Sequence, residues 1–424
     1  GGFKPHLIMD YTYKQKAQDI IVKRLLIFFI FTNLFIPKIP LIDVPGYSQG
    51  IRFENCLSFL ILITLVITKK LAIYDRDLDK LYPYLYFVLI SIISFYVGWL
   101  NGLSIKIIFI IRLFEYLAVY MLLFKIQINP KIIENLIKLF FVACLIGIAL
   151  QHFKLMGTFT SAGYSAKYFS AYTAFTSGSW ELSFMISLSF FTLLSLCRND
   201  TKKLVIYFIL TLIIISFAKT RGVGAAFIIS ILIYLFIKSR LIDLKIFGYI
   251  VLILSLIFLI LEFGNTSEGD LIDFKDTKYV NENIFNNIIS LDINYIYLIL
   301  KNFFIYGDVV SINDVPNEYL SLQYRLTWWN HARDAFLLNP FTILFGSGAE
   351  FIYYESFIFR VIFTFGVIGT LLILFIAIRK VPLYLLSFYI ISGLTTDFIA
   401  SYKLAIATII LHYAYSVCNK KETI

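Results

Sequence analysis

Apolar runs of nearly membrane-spanning length recur along the chain, and they constrain its fold more than any single motif does. A helix rises about 1.5 Å per residue, so crossing about 30 Å of hydrocarbon takes about 20 residues. Such runs begin near Leu25, Cys56, Pro83, Ile105, Ile132, Ser179, Lys203, Gly222, Leu241, Ser356, Pro382 and Tyr402. Hydrophobic residues make up 59% of the chain and charged residues 15%, against roughly 25% charged in a soluble domain. That much apolar surface does not fit inside one water-soluble core. The sequence predicts an all-α integral membrane protein, a single polytopic domain over 1–424 with about twelve transmembrane helices. Pro37, Lys38 and Pro40 interrupt the far end of the first run.

Lys and Arg in short loops stay on the cytoplasmic side of a membrane. One side collects Lys14, Lys16, Lys23, Arg24, Lys69, Lys70, Arg76, Lys80, Lys125, Lys131, Arg198, Lys202, Lys203, Lys238, Arg240, Lys245, Arg379, Lys380, Lys420 and Lys421. The other side holds only Lys38, Arg52, Lys106, Lys154, Lys167, Lys219, Arg221 and Lys403 in its short loops and helix ends. Both termini are therefore expected inside. The net charge of +10 sits mostly at inner helix ends, where anionic membrane lipid accounts for it, so no nucleic-acid partner is expected. Basic residues precede the first run but no A-x-A-like site follows it, which predicts a retained helix rather than a cleaved signal. Gly1-Gly2-Phe3 reads as a cloning remnant, with Met9 as the expected native start. Cys56, Cys144, Cys197 and Cys418 are scattered over different helices, a pattern that suggests neither a disulfide framework nor a thiolate metal site.

Two outer segments are long, 153–178 and 263–354. The larger opens with Glu268, Asp270, Asp273 and Asp276; their spacing matches no calcium loop, so a solvated acidic loop is a simpler account than a cation site. Further on, "EYLSLQYRLTWWNHARDAFLLNP" predicts an amphipathic helix over about 318–338, started by Asn317 and stopped by Asn339-Pro340. At 3.6 residues per turn, Tyr319, Leu322, Leu326, Trp329, Ala332 and Phe336 share a stripe with Arg325 and Arg333. Those guanidinium groups face either the membrane domain or lipid phosphate. "GSG" follows, with Gly346 and Gly348, and then Glu355-Ser356 opens a membrane helix. A carboxylate there faces the positive end of the helix dipole.

Arg112 and Glu115 fall three residues apart on one face of the fourth run, where a local ion pair is expected because charges at bilayer depth pair or line a cavity. Glu181 opens the sixth run, either as a helix-start charge or as a ligand. Asp397 and Lys403 flank the last outer turn and are expected to pair.

From about Ala171 to Lys380 the chain resembles the O-antigen polymerase and ligase superfamily of bacterial envelope glycosyltransferases. The resemblance rests on "LIIISFAKTRGVGAAFIISILIYLF", with its Thr-Arg-Gly junction, on "YRLTWWNHARDAFLLNPFTILFGSG", and on Glu355 followed by ten residues and Gly366, with Gly369 beyond. A weaker likeness lies in "FTSGSWELSFM". Ligases of the superfamily carry His at the position of Glu355; here His6, His152, His331 and His412 lie elsewhere, which points to the polymerase branch. Ala225 stands where a ligase-like Leu would follow Arg221.

The resemblance implies a fold like that of the membrane-embedded, C-type glycosyltransferases in the bacterial inner membrane, with 153–178 and 263–354 as periplasmic loops. It also implies a polyprenyl (undecaprenyl) diphosphate-linked oligosaccharide donor and a lipid-linked acceptor, with a chain-length regulator protein as a further partner. The growing glycan would pass to a sugar hydroxyl of the next repeat unit, with no cofactor and no metal, since diphosphate is already a good leaving group. Arg221 and Arg325 would grip the diphosphate as charge accumulates. Glu355 would deprotonate or orient the acceptor hydroxyl. Lys219, Arg333, Glu181, Arg112 and Tyr354 are expected to contact substrate. Two rivals stand beside this reading: a ligase of the same superfamily, and a lipid-linked oligosaccharide flippase or other transporter, whose charges should cluster at mid-depth.

Overall fold

The computed structural model describes residues 5–37, 40–44, 47–67, 75–103, 107–126, 128–160, 163–166, 171–197, 200–238, 332–348, 356–394 and 401–419, with isolated positions 248 and 253. Helices dominate: α1 (Pro5–Phe35), α2 (Phe53–Ile67), α3 (Asp75–Leu100), α4 (Ile107–Ile126), α5 (Pro130–His152), α6 (Ser179–Leu196), α7 (Thr201–Ala218) and α8 (Arg221–Lys238). After 332 come α9 (Pro340–Phe345), α10 (Phe357–Lys380), α11 (Leu383–Gly393) and α12 (Tyr402–Asn419). Five helices among the described residues are long and apolar enough to cross a membrane: Tyr82–Leu100, α5, α6, α7 and α10. Shorter apolar helices lie at Phe53–Thr64, Gly222–Ile237 and Leu383–Gly393. The protein is a mostly helical, membrane-embedded bundle.

Local chemistry sets several boundaries. Pro130 starts α5, where its missing N–H is harmless, and the Asn129 side chain accepts from Lys131 N at 3.0 Å. Asp200 caps α7 and Ser356 caps α10. The expected run from Leu241 lies outside the described residues apart from positions 248 and 253.

α6 is the centre of the bundle. It packs against α5, α7, α8 and α12, and 78% of it is buried, against 33–39% of the other four spans. Phe184, Phe190 and Phe191 are fully enclosed, and their rings meet Phe208 of α7, Phe227 of α8 and Phe388 of α11. Exposed side chains such as Leu371, Phe375 and Ile378 on α10 suit lipid contact.

Two features depart from the all-helical, long-loop expectation: a pair of hairpins, and a packed end to the large outer segment. Two small antiparallel hairpins form, β1 (Pro40–Val44) with β2 (Tyr47–Arg52) and β3 (Thr158–Thr160) with β4 (Gly163–Ser165). The amphipathic helix is seen over 332–336 and ends before Asn339; its stretch 318–331 lies outside the described residues. The end of the large outer segment is not a surface loop. The Asn339 side chain bonds Asn101 just beyond α3, and the carbonyl of Phe345 accepts from Ser94 Oγ at 2.5 Å. Those partners are seven residues apart along the chain, so α9 descends about 10 Å beside α3. A Thr342–Asn339 capping box starts this short helix.

At the bottom of that descent the "GSG" turn fits into a break in α10. Gly366 has φ 70° and ψ −176° within the helix. Ser347 N donates to Phe363 O at 2.9 Å and Gly348 N to Thr364 O at 3.3 Å, so carbonyls released by the break find partners. A Cβ on Gly346 would lie 1.9 Å from Thr364 O, and one on Gly366 would lie 2.4 Å from Gly346 N. The two glycines quoted in the sequence motifs therefore pack against one another.

Candidate functional site

The N-termini of α2, α6, α8, α10 and α12 converge at one end of the bundle. Ser401, before α12, donates to Glu181 in the first turn of α6. Thr220, before α8, hydrogen-bonds Ser183 of α6. Ser356, before α10, donates to Gly393 O at the end of α11, and Ser58 in α2 pairs with Tyr402 of α12. α4 joins at the same end, since Asn55 Nδ2 donates to Glu115 Oε2 at 3.3 Å.

Glu181 is fully buried. Its Oε1 accepts from Ser177 N at 3.2 Å, and its Oε2 accepts from Ser177 Oγ at 3.1 Å and Ser401 Oγ at 2.6 Å. Lys403 is equally buried, reaches the carbonyl of Ile36 beyond α1, and lies within electrostatic range of Glu181, Glu54 and Arg52. Its expected partner Asp397 lies outside the described residues. Arg52 and Glu54 approach at 3.6 Å with side chains only 1% and 4% exposed. Arg112 and Glu115 are both buried and interact electrostatically, and the Arg112 guanidinium stands 5.9 Å from the centre of the Tyr402 ring.

The α7–α8 junction places Lys219 at the end of α7 in a left-handed conformation, φ 53° and ψ 37°, with an exposed side chain. Arg221 is the first residue of α8; its side chain, like Arg325, Tyr354 and Glu355 entire, lies outside the described residues. Arg333 is buried on the 332–336 turn and donates to Asp334 Oδ1 from Nη2 at 2.9 Å. One helical turn on, Phe336 meets Phe363 of α10 with ring centres 5.4 Å apart, so the Arg333-bearing turn packs on α10.

The structure thus brings Glu181, the Lys219–Arg221 junction and Lys403 to the start of α6, with Arg112 reached through Tyr402. Arg333 stands on the α9–α10 side. Sequence reading missed Arg360, buried in the first turn of α10, the buried pair Arg52 and Glu54, and the hydroxyls of Thr220 and Ser401. It also missed Gln151. Its side chain donates to Gly157 O and Thr173 Oγ1 and accepts from Thr173 N and Ala174 N, each at 3.0 Å. These bonds tie segment 153–178 to the end of α5. The available signal was a polar residue one position before the end of an apolar helix.

Among the described residues, no three His, Cys, Asp or Glu side chains are grouped to hold a metal ion. Among the described residues, the fully or nearly buried charges are Arg52, Arg112, Arg333, Arg360, Lys403, Glu54, Glu115 and Glu181. Arg221, Arg360 and Lys403 each stand in the first turn of a helix, where the dipole repels a cation. No protein-family model matches the chain, and no curated protein sequence matches it.

Proposed function

We propose that the protein is an O-antigen polymerase of the bacterial inner membrane. It transfers a growing glycan from polyprenyl (undecaprenyl) diphosphate to the next lipid-linked repeat unit at the periplasmic face. The observation that supports this reading is the placing of basic residues in the first turns of α8, α10 and α12, at the end of the bundle where helix N-termini lie. In this reading the lipid diphosphate binds at that end. Arg221 and Arg325 hold it as the glycosidic bond to phosphate breaks, and Glu355 orients the incoming hydroxyl and takes up its proton as the new bond forms. The protein's task is alignment and charge stabilisation. Glu181, Arg221, Arg360 and Lys403 stand in the first turns of their helices, a position at one end that favours an enzyme over a transporter, although Arg112 and Glu115, five and eight residues into the 20-residue α4, or about 8 and 12 Å from its start, reach toward its middle. Glu355 in place of His favours polymerase over ligase.

The test is a deletion strain complemented with Arg221→Ala or Glu355→Gln. Loss of polymerisation leaves lipid A core bearing one repeat, whereas loss of ligation leaves core bare. Full lipopolysaccharide ladders from both variants at normal expression overturn the site assignment.

A further inference from the structure

We infer that Thr220 and Glu181 act together as a positioning device for Arg221, an inference that rests on the reading above and assigns Glu181 a role other than substrate contact. The first turn of α6 is the fixed point. Glu181 is fully buried and its two oxygens are engaged by Ser177, before α6, and by Ser401, before α12. Two residues on, Ser183, also fully buried, meets the Thr220 hydroxyl. The carbonyl of Thr220 accepts from Gly224 N at 3.0 Å and so closes the first turn of α8. One residue thus terminates the left-handed turn at Lys219, begins the helix that Arg221 opens, and is tied by its side chain to α6.

Lys219 is exposed, and Gly222 and Gly224 contribute no side chains, so the Thr220 hydroxyl is a direct side-chain tie from this junction to α6, beside the Tyr172 N to Phe217 O bond at 3.1 Å and the burial of Val223. Ser177 and Ser401 connect the same point to segment 171–178 and to α12. The first turn of α6 therefore sets the geometry between Arg221, the smaller outer segment and Lys403. Thr220 needs only its hydroxyl for this task; its methyl group is dispensable. Glu181 acts through Ser177 and Ser401, holding the turn of α6 against which Thr220 docks.

The experiment compares Thr220→Val, Thr220→Ser and Glu181→Gln in protein reconstituted in lipid. The first readout is chain extension of a lipid-linked repeat unit. Thr220→Val lowers kcat roughly tenfold to a hundredfold, the usual cost of misplacing a group by about 1 Å, with KM for the acceptor little changed. Thr220→Ser restores the rate, and Glu181→Gln falls between. The second readout does not depend on turnover. Arg221→Cys is placed in a background lacking Cys56, Cys144, Cys197 and Cys418, and the labelling rate of Cys at 221 by an impermeant thiol reagent is measured. Adding Thr220→Val changes that rate several-fold and adding Thr220→Ser leaves it unchanged. Equal labelling rates across the series overturn the inference. An inactive wild-type protein whose labelling rate still responds to Thr220→Val instead overturns the polymerase reading and leaves the positioning device standing.

Discussion

Replacing Gly366 by Ala isolates the joint between the "GSG" turn and the break in α10. At φ 70° and ψ −176° the backbone occupies a region essentially reserved for glycine, at a cost to Ala of about 1–3 kcal/mol. The added Cβ would also stand 2.4 Å from Gly346 N and 2.5 Å from Leu344 O. Both are backbone atoms of a segment held by Ser94 and Phe363, so relief by rotamer change is closed, and overpacking adds about 1–3 kcal/mol. The sum, about 2–6 kcal/mol, is a large part of a typical folding free energy of about 5–15 kcal/mol. Two control glycines separate the causes. Gly102 has φ +75° with nothing within 4 Å, so Gly102→Ala carries only backbone strain, about 1–2 kcal/mol. Gly369 is helical, and its Cβ would meet the side chains of Phe365 at 2.7 Å and Ile90 at 2.8 Å, which can shift. Thermal unfolding in detergent, followed by size exclusion, should rank the melting points Gly366→Ala lowest, with Gly102→Ala and Gly369→Ala near wild type. A Gly366→Ala protein that melts with or above Gly102→Ala would refute the argument.

Other outcomes follow from groups away from that joint. Arg52→Met strands the buried Glu54 carboxylate and should destabilise by about 3–5 kcal/mol, while Arg52→Met with Glu54→Gln recovers part of the loss in the same melting assay. At the other end of the bundle, the hydrogen bond and charge of Lys203 hold the Asp200 carboxyl below its ordinary range. A depressed folded pKa stabilises above the unfolded value of about 3.9 and the contribution is lost as pH falls through the folded value. Amide exchange at Lys203 and Leu204 should therefore accelerate as pH drops from about 5 to about 3, beyond the intrinsic trend, and Asp200→Asn should remove that pH dependence while keeping the cap.

Helix positions were legible because their causes are local. The starts of α5, α7 and α10 follow from Asn129-Pro130, Asp200 and Ser356, each read within a few residues. The motif glycines were visible as well, but the meeting of Gly346 and Gly366 depends on a descent of α9 beside α3, and six residues carry too little periodicity to announce a helix. Arg52 was counted as a loop charge because chain position alone says nothing of which helices close over it. Thr220 and Ser401 are single hydroxyls among many, and their importance arises from partners 37 and 220 residues away. The Lys219–Arg221 junction and Glu181 stood out in the sequence as charges at helix starts, but the link between them, Thr220 on Ser183, carried no signal there.

The burial of α6 bears on how the chain enters the membrane. Its mean hydropathy, 1.4, is the lowest of the five long spans, because Ser183, Ser187, Ser189 and Thr192 face neighbouring helices rather than acyl chains. A segment so composed partitions weakly on its own and needs companions to receive it. During synthesis α5 is already available, but α8 and α12 emerge later. Commitment of α6 to the bilayer should therefore be retarded until later helices arrive, making the last helix a requirement for biogenesis as well as for the finished assembly.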